Sequence, residues 1–339
     1  MDNNKRMYLL DLTNSEIGTV FTEQYFYLEE IQSCIGKNGT TRWYNAVITD
    51  KTATVCARLW REAEHTDTLE KISEMVNHVV CVNGMVAQYN GKMEIHISAM
   101  KVVPEGQYDL KDYIKTLSPK QTEELTEKLN NTIASVLDDS LRELLTSIFD
   151  GKKLELFCSL PANLSQHHCF NGGLLVWALE VADTATHIAE IHNRYAKYKD
   201  YAHIAPVDTD LVIAGALLAG IGKLSEYAPF PIRERKPRGR LIGYTQESFA
   251  VMTLFNNNLP KEIRLTSTAE LANIILASSD SSGIPPQTKE AEIVKQATKL
   301  MEDIDSYDVE SNKYDVRHPG NDETFITNNY LGHPMFRNW

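Results

Sequence analysis

A glycine-rich stretch that ends in lysine is the first candidate for chemistry. Residues 215–227 read GALLAGIGKLSEY, and a Gly-Lys pair can close a loop whose backbone N–H groups bind phosphate. That loop needs a glycine five positions earlier and a Ser or Thr next, whereas this chain has Leu217 and Leu224 there. Residues 211–219 also predict a buried helix, not the strand that such a loop follows. The stretch is therefore not interpreted as a nucleotide-binding loop.

The most basic stretch of the chain is PFPIRERKPRGR, residues 229–240. Its cations suggest contact with phosphate or with an acidic partner, because the rest of the chain is acidic. The alternative is a solvated loop without a ligand. The candidate residues are Arg233, Arg235, Lys236, Arg238 and Arg240.

Charge and cysteine content limit the function classes. The net charge of −12 argues against a protein coated in basic surface, so any nucleic-acid contact must be local. The five cysteines form no Cys-x-x-Cys pair, which makes a zinc cluster or a disulfide framework unexpected. The first residues lack a long apolar segment, and no window is apolar enough to span a membrane. We expect a cytoplasmic protein.

Residues 1–110 predict a five-stranded OB-fold β-barrel. Alternating stretches, with Asn-Gly turn signals at residues 38–39 and 90–91, give three strands, a helix and two strands. OB-folds often bind single strands with aromatic and basic side chains, although half of these side chains can face the barrel core instead. The domain also has a net charge of −5. Its candidates are Arg42, Trp43, Tyr44, Arg58, Trp60, Arg61, Tyr89 and Lys92.

The rest of the chain is predicted to be mainly helical, which makes the fold class α+β multidomain. Residues 111–150 are charged and helical, and we expect an exposed helical connector. Residues 151–310 predict an all-α domain, in which residues 172–198 carry apolar side chains at helical spacing. Residues 311–339 lack helical periodicity and predict an irregular tail.

The order of motifs in residues 15–307 resembles a known family. QHHCFNGGLLVWALEVA, PVDTDLVIAGALLAGIGKLSEY and GRLIGYTQES follow one another as in HD-domain phosphohydrolases. With an OB-fold in front, the chain looks like the YhaM family of 3′-to-5′ exoribonucleases. The resemblance implies metal-binding His and Asp side chains at five positions, which here hold Trp177, Ala219, Gly220, Tyr244 and Glu302. Only Glu302 keeps a carboxylate, and one carboxylate does not make a catalytic metal site.

Other positions still match the family pattern. His167, His168 and Lys223 are retained, and they indicate either a phosphate or base pocket or residues that complete the packing. We therefore expect a pseudoenzyme without a bound metal or cofactor, which binds single-stranded RNA or DNA. A structural or regulatory subunit with a protein partner or a homo-oligomer remains an alternative. A second alternative is an active metal-dependent exonuclease with a rearranged site.

Overall fold

The computed structural model of the 339-residue chain describes residues 6–35, 42–60, 69–89, 91–201, 203–228, 234–266, 268–317, 324–327, 329 and 331–336. The chain divides into two compact units. The first, called the barrel unit, comprises Met1–Thr116 and Tyr307–Trp339, and the second, called the helical unit, comprises Leu117–Ser306.

A closed five-stranded barrel forms the centre of the barrel unit. Its strands are β1 (Val20–Ile35), β2 (Arg42–Thr49), β3 (Thr54–Trp60), β4 (Val79–Tyr89) and β5 (Lys92–Val102), in the spatial order β1-β2-β3-β5-β4. Only β3 and β5 pair in parallel. Helix α1 (Leu9–Thr13) precedes the barrel and α2 (Leu69–Glu74) separates β3 from β4. The predicted order of three strands, a helix and two strands is confirmed, although Asn38, Gly39 and Asn90 lie outside the described residues.

Strict alternation in β2 sets the two faces of the barrel wall. Tyr44, Ala46 and Ile48 are buried in the core, and Trp43 points to the other face. Successive side chains of a strand point to opposite faces, so the residues that share a face with Ala46 and Ile48 must pack inside. Tyr44 was predicted to contact nucleic acid, and this prediction is wrong because only 7% of its surface is exposed.

The helical unit is built from ten α-helices within the described residues. They are α3 (Pro119–Ala134), α4 (Asp139–Ile148), α5 (Gly151–Phe157), α6 (Gly173–Ala196), α7 (Thr209–Ala219), α8 (Lys223–Glu226), α9 (Pro237–Ile242), α10 (Tyr244–Asn258), α11 (Ala269–Ala277) and α12 (Lys289–Arg317), of which α12 continues into the barrel unit. Ser118 caps α3 by accepting a hydrogen bond from the Gln121 N–H. Asp208 caps α7 in the same way.

Two segments differ from the sequence-based description. Helix α4 buries Leu141, Leu144, Leu145 and Ile148 in the core of the helical unit, so it is not part of an exposed connector. Its apolar residues recur at i, i+3, i+4 and i+7, which is the spacing of a core-facing helix. Helix α12 runs to Arg317, so the first seven residues of the predicted irregular tail are helical.

The remaining general features concern the membrane and the thiols. No helix in the part of the chain that the structure describes is long and apolar enough to cross a membrane. The five cysteines are free thiols. Beyond α12, the two-residue strands β6 (Phe325–Ile326) and β7 (Met335–Phe336) pair antiparallel.

Candidate functional site

The turn before α6 places a histidine pair in the interior of the helical unit. His168 has a positive φ of 45°, and Gly172 has a φ of 89° at the N-cap of α6. A Cβ atom on Gly173 would lie 2.1 Å from the His168 carbonyl oxygen. The Gly-Gly pair is therefore required by the close approach of this turn to the helix. Because His167 and His168 are each only 2% exposed, they do not form a surface pocket for a polymer.

The two imidazoles bond to one another and to carboxylates. Their Nδ1 atoms are 3.3 Å apart, so one nitrogen donates and the other accepts. His167 Nε2 lies 3.4 Å from Glu302 Oε1, and His168 Nε2 lies 2.8 Å from Glu180 Oε2. Burial, the Lys223 charge and the His168 ring lower the pKa of His167 to about 2. His167 is therefore a neutral imidazole in a hydrogen-bonded chain.

Lys223 lies at the centre of this region, in a cage of three aromatic rings. Its Nζ atom is 4.1 Å from the centroid of Tyr244, 5.0 Å from that of Trp177 and 5.6 Å from that of Tyr227. The ammonium donates a hydrogen bond of 2.7 Å to the Ala162 carbonyl oxygen, and the residue is only 2% exposed. Such contacts favour a desolvated cation.

Burial alone would lower the pKa of the Lys223 ammonium. The phenols of Tyr227 and Tyr244 and the carboxylates of Glu302 and Glu226 act in the opposite direction, and the pKa lies above its ordinary value. Conversely, burial raises the pKa of Glu302, against the effect of the Lys223 charge. The region thus holds a permanent positive charge facing a carboxylate that protonates easily.

The five positions at which the resemblance implies metal ligands do not form a metal-binding set. Ala219 and Gly220 have no donor, and the Trp177 indole cannot ligate a metal. Burial raises the pKa of the Tyr244 phenol to about 12, so it stays protonated. Among the residues that the structure describes, no group of three or more His, Cys, Asp or Glu side chains is arranged to hold a metal ion. The donor set therefore does not fit a divalent cation.

The residues at two of these positions depend on each other sterically. A Cβ atom on Gly220 would lie 2.4 Å from the six-membered ring of Trp177. The indole therefore fills the space that any side chain at position 220 would need. The Trp177 Nε1 atom is buried without a hydrogen-bond partner in the described part of the chain, which is the cost of placing an indole there.

Residues 229–240 are called the basic segment, and two of its arginines form ion pairs with buried carboxylates. Arg235 Nε lies 2.6 Å from Oε1 of Glu226, and Arg238 Nε lies 2.7 Å from Oε1 of Glu247. Both carboxylates are less than 5% exposed, so each arginine offsets a buried charge. Nothing in the residue pattern signals these pairs, which join residues nine positions apart. The other basic residues bond to the backbone, Lys236 to Leu224 O at 3.4 Å and Arg240 to Arg235 O at 3.2 Å, and Arg233 lies outside the described residues.

Several of the predicted barrel residues share the outer face of β2, β3 and β4. Trp43 is half-buried there and donates a 3.0 Å hydrogen bond from Nε1 to Asn45 Oδ1. Asn45 pairs in register with Arg58, whose guanidinium lies 4.5 Å from the Tyr89 ring centroid. The side chains of Arg42, Trp60 and Lys92, and the whole of Arg61, lie outside the described residues.

A buried carboxylate lies beneath this face. Glu94 is 1% exposed, with Arg58 Nη2 at 3.2 Å and His96 Nε2 at 2.6 Å. Sequence reasoning missed Glu94 and His96, although their alternation in β5 could have placed them opposite the core residues Ile95 and Ile97. The Arg58 charge is therefore held in place, with one carboxylate already beside it.

Comparison with known proteins gives similarity over most of the chain. No family model matches. The chain is 23% identical over 296 residues to "3'-5' exoribonuclease YhaM" of Geobacillus sp. (strain WCH70), which covers 86% of this chain and 83% of the relative. This similarity confirms the resemblance to YhaM proteins.

Solved structures give weaker likenesses. The second OB-fold domain of replication protein A from Methanococcus maripaludis is 14% identical, with a TM-score of 0.22, over 31% of this chain and 100% of that domain. RecG bound to a three-way DNA junction is 16% identical, with a TM-score of 0.25, over 58% of this chain and 27% of that protein. These TM-scores support no functional comparison. The OB-type assignment follows from the closed five-stranded barrel itself.

Proposed function

We propose that this chain binds single-stranded nucleic acid through the outer face of its barrel without hydrolysing it. In this proposal the helical unit is an HD-type domain that has lost its metal centre. The observation that carries the loss of hydrolysis is the residue set at the implied ligand positions, where Ala219 and Gly220 supply no donor atom and the Trp177 ring fills the space beside Gly220.

The side chains at the implied ligand positions do not suit the chemistry of a two-metal hydrolase. Divalent ions in such a site polarise phosphate and lower the pKa of bound water, and they need a converging set of anionic or imidazole donors. Ala219, Gly220 and the Trp177 indole supply no lone pair for a metal ion. The similarity to a protein named an exoribonuclease supports nucleic acid as the ligand class, and the altered residues support the loss of the reaction.

The barrel face supports the binding half of the proposal. OB-folds of this topology bind strands along β2 and β3, where bases stack on aromatic side chains. Trp43 offers such a ring, and Arg58 lies beside it on the neighbouring strand. Because Arg58 already faces Glu94 at 3.2 Å, stacking is expected to contribute more than phosphate contact on this face.

Binding and hydrolysis are tested separately. A labelled single-stranded 20-mer is titrated at low salt against the wild type, Trp43→Ala and Trp43→Phe. Loss of a base stack costs about 1–3 kcal/mol, so the Ala variant should bind roughly 5- to 150-fold more weakly, while Phe retains most of the affinity. The same oligonucleotide should stay intact when it is incubated with Mn²⁺ or Mg²⁺.

Two results would contradict the proposal. Wild-type protein that binds no 20-mer at low ionic strength would leave a structural or regulatory subunit as the better description. Metal-dependent shortening from the 3′ end, abolished by Glu302→Gln, would show that an active site of a different arrangement exists.

A further inference from the structure

Three exposed tyrosines lie at, or within five residues after, the C-terminal end of α6 in the helical unit. Tyr195 is 54% exposed, Tyr198 73% and Tyr201 71%. Large aromatic side chains in such numbers are unusual on a free surface, and they indicate a contact site for a partner. We call residues 194–201 the tyrosine segment.

The rings of Tyr195 and Tyr198 lie close together and offer a surface on which a planar group can stack. Tyr195 lies in the last turn of α6 and Tyr198 just beyond it, and their ring centroids are 6.1 Å apart at an interplanar angle of 46°. Lys197 Nζ lies 5.0 Å from the Tyr198 ring centroid. A planar group can therefore stack on an exposed tyrosine while a cation stands within reach of its charged substituent.

The cations of this segment differ from those of residues 235–240. Arg194, Lys197 and Lys199 are exposed, and none of them forms an ion pair with a carboxylate within the described part of the chain. Glu190 and Asp200 are the acidic neighbours, which leaves residues 190–201 with a net charge of +1 in a chain of net charge −12. Lys199 Nζ also lies 3.5 Å from His192 Nδ1.

We propose that single-stranded nucleic acid stacks its bases on Tyr195, Tyr198 and Tyr201, with Arg194, Lys197 and Lys199 contacting its phosphates. Exposed rings interleaved with cations that face no carboxylate are the two features that sequence-tolerant strand binding requires. The inference rests on the proposed function for its class of ligand. It does not depend on the barrel face, because the tyrosine segment belongs to the other unit.

Matched substitutions test the segment. Tyr198→Ala and the double variant Tyr195→Ala/Tyr198→Ala should weaken binding of a single-stranded 20-mer by roughly 5- to 150-fold for each stack removed. Tyr198→Phe keeps the ring and should change affinity by less than about twofold. Because these side chains are exposed, all three variants should keep the wild-type melting curve. Arg194→Gln/Lys197→Gln should flatten the slope of log K against log salt by about 0.7 for each phosphate that is no longer neutralised.

Direct contact has its own measurement. A 4-thiouridine oligonucleotide, irradiated on the wild-type protein, should crosslink to the peptide that contains residues 195–201, and Tyr198→Ala should reduce that product.

The outcomes separate this inference from the proposed function. If Trp43→Ala weakens binding while the tyrosine variants bind like the wild type, the proposed function stands and this inference is wrong. If the wild type binds no oligonucleotide, both fall. If the tyrosine variants change the oligomeric state in light scattering with unchanged oligonucleotide affinity, the segment is a protein interface and the inference is likewise overturned.

Discussion

Replacement of Lys223 by methionine tests whether the buried ammonium stabilises the helical unit. Methionine has nearly the same length and volume as lysine, so Lys223→Met removes the charge without opening a large cavity. The hydrogen bond to Ala162 O disappears, and Glu302 loses the cation that faces it. Glu226 keeps Arg235 at 2.6 Å, so Glu302 is the carboxylate whose pKa the change is expected to raise.

The magnitude follows mainly from the lost hydrogen bond. A hydrogen bond from a charged donor contributes about 1.5–3 kcal/mol. Lys223 forms no ion pair with Glu302 and acts on it only through its charge, so we expect the helical unit to lose about 1.5–3 kcal/mol at pH 8. At that pH the contribution is fully present in the wild type, because the folded-state pKa of Lys223 lies above 10.5.

The pH dependence of the loss identifies its cause. Burial already raises the pKa of Glu302, and removal of Lys223 raises it further. As the pH falls through that pKa, Glu302 is neutralised and the variant should recover part of its deficit relative to the wild type at the same pH. Glu302→Gln in the Lys223→Met background should give a similar recovery at pH 8.

Urea unfolding followed by tryptophan fluorescence measures the effect. Trp177 is the only tryptophan of residues 117–306, so the signal reports the helical unit when every protein compared also carries Trp43→Phe, Trp60→Phe and Trp339→Phe. A double-mutant cycle over Lys223 and Glu302 then yields their coupling energy. A Lys223→Met variant within about 1 kcal/mol of the wild type at pH 8, or a coupling energy near zero, would refute the argument.

Two further predictions concern pH and salt. His167 is neutral in the folded state down to about pH 2, whereas the unfolded chain binds a proton near 6.5. Its contribution to stability is therefore complete above pH 6.5 and falls by about 2 kcal/mol between pH 7 and pH 5. His167→Asn should lack that loss in urea unfolding at the two pH values, and His187→Asn serves as the control. For the basic segment, Arg240→Gln should flatten the salt dependence of 20-mer binding by about 0.7 if that side chain contacts one phosphate. An unchanged slope would assign Arg240 a structural role through its bond to Arg235 O.

Local sequence rules predicted the barrel because its elements are bounded by strong signals. Alternation marked each strand, and the helix between the third and fourth strands completed the OB order. The same alternation predicts that Tyr44 is buried, since it shares a face with the core residues Ala46 and Ile48. The aromatic and basic residue types of β2 instead suggested that Tyr44 contacts a ligand.

Which charged side chains pair with one another in the folded chain could not be predicted from the sequence. The arginines at positions 235 and 238 read as free cations, but each faces a carboxylate brought in by a neighbouring helix. Which charges are already paired depends on packing, and pairing decides how many cations remain for a ligand. The tyrosine segment was missed for another reason: Tyr198 and Tyr201 lie beyond the end of α6 at Ala196, and residue type alone does not show that a tyrosine is exposed.

Charge and packing at the implied ligand positions are coupled in the helical unit. A carboxylate in a protein interior must be compensated or protonated. Glu302 lies 3.4 Å from the neutral His167 ring, and the Lys223 charge lowers its pKa against the effect of burial. Trp177 lies against Gly220, where a Cβ atom would be 2.4 Å from the indole ring. The residues at positions 177 and 220 therefore depend on one another, and a His or Asp side chain placed at position 220 alone would disrupt the packing before it created a metal site.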